Sequence, residues 1–414
     1  MIILAIESSC DETACAILKD GELLSNVVFS QIDIFNSYGG VIPEVAARSH
    51  LEAILPVIDQ AFTDAGLKTA DNKNDWDKID AIAVTHTPGL LGSLLIGTLT
   101  ARTLAILHNK PLYPIHHLKS HIYSNWLNTV YSQAGEPNVL SSEGPELRRG
   151  VARDARDDGT ARRASNKESF GVIAPENKPQ FPLLALVISG GHTQIIYMTS
   201  ATEFKIVGTT LDDAVGECFD KVAKILGLPY PGGPSISEAA LEGDKKRYSF
   251  PHPKVEGLDF SFSGLKTALL REVQKACGVG LDYPSHDLKN LLSPEQVSDF
   301  AASFQSTAIA ILLEKLSLAL RKFSDVNSVV FAGGVAANSE LRRKTLNFFR
   351  RGEVEKNYRP QALKKSIEYF FPPLRFSGDN AAMVAMAAYH EILAGVPPSD
   401  PFSVSVSPRS SISS

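Results

Sequence analysis

The chain has 414 residues, a hydrophobic content of 44% and a formal net charge of −5, which together predict a globular protein of two domains. The negative charge argues against a nucleic-acid coat protein but leaves room for a local basic patch. No apolar run reaches the roughly 18 residues of a membrane span, so we expect no membrane association. The N-terminus resembles neither a signal peptide nor a presequence, and the four cysteines form no CxxC pair. These features predict a cytoplasmic protein with reduced thiols.

The first part of the chain predicts three strands in succession. Residues 2–7 are apolar, residues 13–18 return as a strand after a polar turn, and residues 23–29 follow the hairpin signal Asp20-Gly21. Helices and buried strands then alternate. A helix is expected to begin at Pro43 and to run to about residue 65.

The alternation continues to position 123. Residues 81–85 predict a buried strand. Residues 89–93 lead into an apolar helix that ends at about residue 108, and residues 112–115 predict a short strand. This strand leads into a helix that carries His117 and His121. Residues 1–130 are therefore expected to form one α/β lobe.

A polar segment at residues 131–181 interrupts this pattern. Seven Arg and Lys residues lie between positions 148 and 167, and apolar residues are few. This composition predicts a flexible basic insertion, which is either a solvated loop or an arm that contacts RNA.

The second part of the chain, residues 182–400, repeats the opening pattern. Residues 183–188 and 193–198 predict strands on either side of the tight turn Ser189-Gly190-Gly191-His192. The repetition predicts two homologous lobes that face a cleft. Residues 401–414 are expected to form a flexible tail.

His117 and His121 are the most informative pair in the chain. Their i, i+4 spacing places both imidazoles on one helix face, about 5–6 Å apart at Cβ, within reach of one metal ion. Imidazole suits zinc or iron, and a carboxylate would complete an open site. Asp379, which precedes a predicted helix, is either that carboxylate or an ordinary helix cap. The alternative for the histidines is a polar helix start without a metal.

Two glycine turns are candidates for phosphate binding. The turn at Gly190-Gly191 lies between strands, and Gly333-Gly334 joins a strand at 328–331 to a helix that begins near Asn338. Glycines allow the close backbone approach that a phosphate needs, and a helix N-terminus favours anions. Ordinary tight turns use the same pairs.

Acidic residues mark two further candidate positions. Asp212, Asp213, Glu217 and Asp220 cluster on a predicted helical stretch, which is either a solvated face or the source of a carboxylate that binds ribose hydroxyls. Asp11 and Glu12 follow the first strand, where carboxylates either face the cleft or cap the turn.

Eight ordered motifs cover nearly the whole chain apart from the basic insertion and the tail. They are Glu7-Ser8-Ser9-Cys10-Asp11-Glu12-Thr13, Gly39-Gly40-Val41-Ile42-Pro43-Glu44, Ser189-Gly190-Gly191-His192-Thr193, Phe219-Asp220-Lys221, Tyr230-Pro231-Gly232-Gly233-Pro234, Asp259-Phe260-Ser261-Phe262-Ser263-Gly264-Leu265-Lys266-Thr267, Gly333-Gly334-Val335-Ala336-Ala337-Asn338 and Gly378-Asp379-Asn380. In this order the chain resembles the TsaD/Kae/Qri family of tRNA threonylcarbamoyladenosine transferases, and its bacterial members most.

The resemblance implies an α/β fold of two duplicated lobes around a cleft, as in actin, Hsp70 and sugar kinases (the ASKHA fold). It implies one divalent metal per subunit at His117, His121 and Asp379, with Fe²⁺ expected first and Zn²⁺ as the alternative. It also places Asp11 and Glu12 in a catalytic turn. The residues that it implies for substrate binding are Val187, Ile188, Ser189, Gly190, Gly191, Asp220, Gly233 and Asn338.

The activity implied by the resemblance is transfer of a threonylcarbamoyl group from threonylcarbamoyl-AMP to the N6 amine of an adenosine. That adenosine lies beside the anticodon of ANN-decoding tRNAs, and AMP is released. Besides tRNA, the expected partners are a TsaB-like paralogue and a TsaE-like ATPase.

The chain departs from the family pattern between the two histidines. The family usually has His-x-Glu-Gly-His, whereas Lys119 and Ser120 stand at the Glu and Gly positions here. Because both histidines are kept, metal binding is still expected. The reversed charge is expected to alter metal affinity or a contact behind the ligands.

Three other functions fit parts of the sequence. A zinc-dependent glycopeptidase is disfavoured, because a zincin needs a Glu next to its first His and Leu118 follows His117. A sugar kinase or ATPase of the same fold would leave the histidines unexplained. A scaffold subunit without activity would be favoured by loss of metal binding.

Overall fold

The computed structural model describes residues 1–36, 38–129, 139–140, 178–351 and 367–409. The described strands are β1 (Ile2–Glu7), β2 (Glu12–Lys19), β3 (Glu22–Ser30), β4 (Ala81–Thr87), β5 (Leu112–His116), β6 (Val139–Leu140), β7 (Leu183–Ile188), β8 (Thr193–Met198), β9 (Phe204–Thr209), β10 (Ser328–Ala332) and β11 (Glu368–Phe370). The described α-helices are α1 (Ile32–Asn36), α2 (Pro43–Asp64), α3 (Leu91–Leu107), α4 (His117–Tyr123), α5 (Val215–Leu226), α6 (Gly232–Ala239), α7 (Ser263–Ala276), α8 (Pro294–Lys322), α9 (Ser339–Arg351) and α10 (Ala381–Leu393).

The two sheets share one topology. Their strand orders are β3-β2-β1-β4-β5 and β9-β8-β7-β10-β11, with β6 added beside β3 in the first sheet. In each sheet the first three strands form an antiparallel meander, and the last two are added in parallel. This duplication confirms the predicted two-lobed α/β fold of the actin, Hsp70 and sugar-kinase type.

Local sequence signals explain the first lobe. Asp20 and Gly21 have φ angles of 50° and 84°, as a type I′ hairpin turn between β2 and β3 requires. Pro43 occupies the first turn of α2, where its missing N–H costs nothing. β1 and β4 are almost entirely buried, because helices cover the sheet.

The acidic stretch before α5 differs from the prediction. The helix begins at Val215, so Asp212 and Asp213 precede it. Asp212 accepts hydrogen bonds from the backbone N–H groups of Phe262 and Ser263 at 2.8 and 3.3 Å. A carboxylate that satisfies the orphan amides at the start of α7 stabilises that helix, and this contact holds Asp212 outside α5.

Helix α10 is shared by both lobes. Its residues from Ala381 to Ala388 are buried in a core with residues of β1, β2 and α4 from the first lobe and of β7, β8 and β10 from the second. Asn26 of β3 accepts a hydrogen bond from the Ala382 N–H at 3.1 Å. A helix that follows the second lobe in sequence therefore packs on the first.

Helix α8 is long and apolar enough to cross a membrane by composition. However, 72% of its most apolar window is buried inside the protein. Phe300, Phe304, Leu312 and Leu316 contribute to the core of the second lobe. Its apolar composition is thus explained by packing.

Most of the predicted basic insertion lies outside the described residues, and the domain boundaries remain predictions.

The described part of the predicted tail contacts the first lobe. Val404 is buried, and the carbonyl of Ser407 accepts a hydrogen bond from Thr87 Oγ1 at 2.8 Å. Arg102 on α3 donates to the carbonyl of Phe402.

Candidate metal centre and nucleotide cleft

Two histidines and one aspartate converge between the lobes. His117 Nε2 and His121 Nε2 are 3.2 Å apart, and they lie 3.5 and 3.1 Å from Asp379 Oδ1. Two nitrogens that bind one tetrahedral ion at about 2.1 Å are about 3.4 Å apart. Among the described residues this is the one group of three or more His, Cys, Asp or Glu side chains that fits a metal ion.

Helix ends position all three side chains. α4 begins at His117, and the His116 side chain caps it by accepting from the Leu118 N–H at 3.2 Å. Asp379 precedes the cap of α10, where Asn380 Oδ1 accepts from the Met383 N–H at 3.0 Å. The three candidate ligands thus come from the short helix α4 and from the residue before the cap of α10, which the fold brings together.

The electrostatics of this group favour a cation. Burial alone lowers the pKa of His117, but Asp379 and Glu7 raise it to about 9. Burial alone raises the pKa of Asp379, but His117 and His121 lower it. The carboxylates therefore call for positive charge beside the imidazoles, and a divalent cation supplies it.

Sequence reasoning assigned no role to Glu7 or His192, which both lie beside the metal ligands. Glu7 Oε2 is 3.4 Å from His117 Nδ1. Burial, followed by the charges of His117 and His121, lowers the pKa of His192 to about 4. The sequence signal for Glu7 was a charged residue that ends an otherwise apolar strand.

The predicted catalytic turn lies next to this centre. Burial, followed by the charges of Asp11 and Asp379, raises the pKa of Glu12 well above its usual value. His50 on α2 supports the turn, since its Nε2 is 3.0 Å from the carbonyl of Cys10. Glu12 and Asp11 thus form a close pair of acidic side chains, in which the charge of one disfavours the charge of the other.

Charge from the catalytic turn reaches the second lobe. Burial makes the largest contribution to the raised pKa values of Asp220 and Tyr230, and the Asp11 charge raises both further. Asp11 is therefore close enough to these two residues of the second lobe to act on them electrostatically. The metal group and the predicted nucleotide residues share the cleft between the lobes.

The first glycine turn leaves space for a ligand. A Cβ atom added at Gly190 or Gly191 would meet no atom within 4 Å, whereas one at Gly216 would lie 2.5 Å from the Ser189 carbonyl oxygen. The start of α5 thus packs directly against the turn, and the Glu217 N–H donates to the Gly190 carbonyl at 3.1 Å. This contact fixes the turn while its two glycines stay open.

The other residues that were predicted to bind substrate differ in which of their atoms a ligand could reach. Val187 and Ile188 are completely buried in β7, so they offer only backbone atoms to a ligand. Asp220 accepts a hydrogen bond from the Gly232 N–H at 2.7 Å. Gly233, the next residue, again faces open space.

Asn338 belongs to a polar network that connects it to helices α6 and α8. Its Nδ2 donates to Ser237 Oγ and to Gln305 Oε1, both at 2.8 Å, and its Oδ1 accepts from the Leu341 N–H at 2.9 Å. Ser237 and Gln305 also line a cavity of about 200 Å³. Sequence reasoning found Asn338 but not these two partners, which lie on separate helices.

Lys119 points away from the metal ligands. Its Nζ is 2.5 Å from Glu391 Oε1 on α10, and the two side chains are 6% and 13% exposed. The ammonium also lies 5.1 Å from the Phe204 ring centre, within reach of a cation–π interaction. The reversed charge is thus neutralised by a buried partner that ties α4 to α10.

Comparisons with known proteins identify the family of the chain. A family model described as "TsaD: tRNA N6-adenosine threonylcarbamoyltransferase" matches residues 22–152 and 170–386. A protein called tRNA N6-adenosine threonylcarbamoyltransferase in Thermomicrobium roseum is 40% identical over 96% of this chain and 93% of its own length. One of the same name in Kosmotoga olearia is 41% identical, with coverage of 96% and 95%.

Solved structures resemble the chain only remotely. HypF of T. kodakarensis covers 95% of this chain with 48% of its own, at 13% identity and a TM-score of 0.49. A ROK hexokinase from Thermus thermophilus reaches a TM-score of 0.41 at 15% identity. The assignment to a family therefore rests on the relatives that match in sequence.

The buried pair Lys119–Glu391 gives a stability prediction. Lys119→Met leaves Glu391 buried without its partner, so we expect the free energy of unfolding to fall by about 3–5 kcal/mol. Glu391→Leu should act similarly, and the double variant should lose clearly less than the sum. Urea unfolding of the three variants measures this coupling. As a control, Lys73→Met at the exposed pair with Asp71 should leave unfolding unchanged; additive losses at Lys119 and Glu391 would contradict the prediction.

Proposed function

Because this chain belongs to the TsaD family of tRNA N6-adenosine threonylcarbamoyltransferases, we propose that it transfers a threonylcarbamoyl group to tRNA. The donor is threonylcarbamoyl-AMP, and the acceptor is the N6 amine of the adenosine beside the anticodon in ANN-decoding tRNAs. The observation that carries the proposal is the convergence of His117, His121 and Asp379 on the cleft that holds the open glycine turn.

His117, His121 and Asp379 would hold one divalent metal per subunit. Two imidazoles and one carboxylate with open positions favour Fe²⁺, and Zn²⁺ is the alternative. When bound, the cation acts as a Lewis acid on the phosphate or the threonylcarbamoyl group. The protein contributes the fixed separations among the three ligand atoms.

The second lobe would bind the adenylate. The open turn at Gly190 and Gly191 suits the phosphate, because only backbone lies there and α5 holds it in place. Asp220, beside the open Gly233, suits the ribose hydroxyls. The cavity at Ser237 and Gln305, which Asn338 closes through hydrogen bonds, suits the purine. Val187 and Ile188 support the turn through the backbone of β7, and the Ser189 N–H closes it by donating to the His192 carbonyl at 2.8 Å.

The catalytic turn would handle the proton of the incoming amine. As the N6 nitrogen attacks the carbamoyl carbon, the bond from that carbon to the phosphate oxygen breaks and AMP leaves. Asp11 would accept the proton that N6 loses, and its charge already acts on Asp220 and Tyr230 of the second lobe. Glu12, whose pKa is raised by burial and by the charge of Asp11, would lie beside Asp11 as its hydrogen-bond partner. Positioning and charge stabilisation would supply most of the rate enhancement.

A TsaB-like paralogue would dock on the first lobe, and a TsaE-like ATPase would complete the set in the cytoplasm. Exposed leucines form a stripe on α3 at Leu91, Leu95 and Leu99, and Leu51 and Leu55 repeat the same spacing on α2. The helices are adjacent, since a Cβ at Gly92 would lie 3.0 Å from Ala47 Cβ. An exposed apolar helix pair is typical of a protein interface, and a paralogue of the same fold would have the equivalent helices for the contact.

The transfer reaction can be tested directly. Purified metal-loaded protein, mixed with the adenylate-forming enzyme and partner proteins, should produce threonylcarbamoyladenosine in an ANN-decoding tRNA transcript, as read by mass spectrometry. A chelator or His117→Ala should abolish the product, because the metal ligands are lost. His252→Ala, at the exposed pair with Glu314, is the matched control and should keep the product. No product with active partners and confirmed metal would overturn the proposed activity.

Asp11 gives a second prediction. Asp11→Asn keeps the size of the side chain but cannot accept the amine proton, so transfer should fall by roughly 10²–10⁴-fold while adenylate binding persists. Single-turnover transfer and equilibrium binding of the adenylate measure the two effects. Asp282→Asn in an exposed loop is the control. An Asp11 variant with full transfer would contradict the role in proton transfer.

The leucine stripe gives a third prediction. Leu95→Asp places a charge at the centre of the stripe and should weaken binding of the paralogue at least 10-fold, which corresponds to about 1.4 kcal/mol. Isothermal titration with the purified paralogue measures this change. Leu281→Asp replaces a leucine of the second lobe that is more exposed than Leu95, at 68% against 38%, and this variant should bind the paralogue normally. Equal affinities for both variants would exclude this surface.

A further inference from the structure

The two histidines of the metal centre differ in what lies behind them. Both direct Nε2 towards Asp379, so Nδ1 is the nitrogen left for the protein. His117 Nδ1 lies 3.2 Å from Ser9 Oγ and 3.4 Å from Glu7 Oε2. His121 Nδ1 is buried and has no hydrogen-bond partner within the described part of the chain. Among the described residues, polar groups therefore orient the imidazole of His117 through its Nδ1, and none does so for His121.

Two further hydrogen bonds fix the Glu7 carboxylate. Oε1 accepts from the Ser9 N–H at 2.6 Å, and Oε2 accepts from Thr85 Oγ1 at 2.5 Å. Glu7 is completely buried at the end of β1, so solvent cannot replace these bonds. Because a backbone N–H can only donate, Oε1 must remain an acceptor. Oε2 is then the oxygen that faces His117.

A neutral imidazole carries one proton, and the nitrogen that binds a metal must be free of it. A carboxylate beside Nδ1 holds the proton there and leaves the Nε2 lone pair for the ion. Second partners of this kind orient metal-binding histidines in many proteins.

We propose that Glu7 is a positioning residue that keeps the proton of His117 on Nδ1, so that Nε2 is free for the metal. The inference rests on the proposed metal centre. It assigns a task to the one carboxylate that is buried at the end of β1, and it makes His117 the anchored ligand and His121 the adaptable one.

The isosteric variant Glu7→Gln tests the proposal. The Ser9 N–H keeps the amide oxygen at the Oε1 position, so the NH₂ group replaces Oε2 and presents a donor to His117 Nδ1. The proton of His117 is then favoured on Nε2, where it blocks the metal. We expect Zn²⁺ affinity to fall about 10- to 100-fold, as measured by competition titration with a chromophoric chelator, with the fold confirmed by circular dichroism.

Two variants frame this result. Thr85→Val removes one hydrogen bond to Glu7 but leaves the carboxylate, so it should lower affinity much less than Glu7→Gln. His117→Ala should lose the site. A folded Glu7→Gln protein with wild-type Zn²⁺ affinity would overturn the role of Glu7 alone. Wild-type affinity in His117→Ala would instead overturn the metal centre, so the two failures are distinguishable.

A measurement on the wild-type protein covers the case in which Glu7→Gln does not fold. In the Zn²⁺-loaded protein with ¹⁵N-labelled histidine, the Nδ1–H of His117 should be shifted downfield and exchange slowly with solvent. The Nδ1–H of His121 should lack the downfield shift, because this atom has no hydrogen-bond partner among the residues that the structure describes. Indistinguishable shifts for the two protons would contradict the proposal.

Discussion

The burial of α10 between the two sheets is the constraint on which the rest of the structure depends. The alanine and methionine side chains of this helix are buried on every face, because residues of both lobes form the core around it. Burial of apolar area at about 25 cal/mol per Å² outweighs the entropy of returning the chain to the first lobe. Asp379 precedes this helix and is carried to His117 and His121. The site is thus a consequence of packing far larger than itself.

Topology explains why the chemical groups meet. In both sheets the parallel strands end at the cleft, and ligands in α/β proteins bind beyond the carboxyl ends of such strands. Glu7 ends β1, His117 follows β5, and the turn at Gly190 follows β7. Gly333 follows β10 with a φ of 88°, where a Cβ would lie 2.5 Å from the Ile188 carbonyl oxygen. Duplication would therefore supply one lobe for the proposed metal and another for the proposed adenylate site.

Local patterns predicted the fold well, because its signals are short in range. The Asp20-Gly21 turn, the helix start at Pro43 and the His117–His121 spacing each depend on a few adjacent residues. The acidic residues before α5 were wrongly predicted to be helical. Asp213 instead forms ion pairs with Lys221 on α5 and with Lys266 on α7. No local rule can see such distant partners.

The site could be predicted only in part for the same reason. Asp379 joined the histidines through family resemblance, because nothing near it in sequence distinguishes a ligand from a helix cap. Glu7 looked like an ordinary strand end, and its bonds to Thr85 and His117 arise only when β1, β4 and α4 pack together. The charge of Lys119 likewise acquires its meaning from Glu391 on α10.

The late position of α10 has a consequence for synthesis on the ribosome. The first lobe has all its strand meander within thirty residues of the N-terminus, yet its core stays open until residues 381–393 emerge, and Val404 covers its far side later still. A nascent chain therefore exposes two histidines and an apolar groove throughout translation of the second lobe. A chain that stops before residue 379 lacks Asp379, so the three candidate ligands can meet only after most of the second lobe has been synthesised.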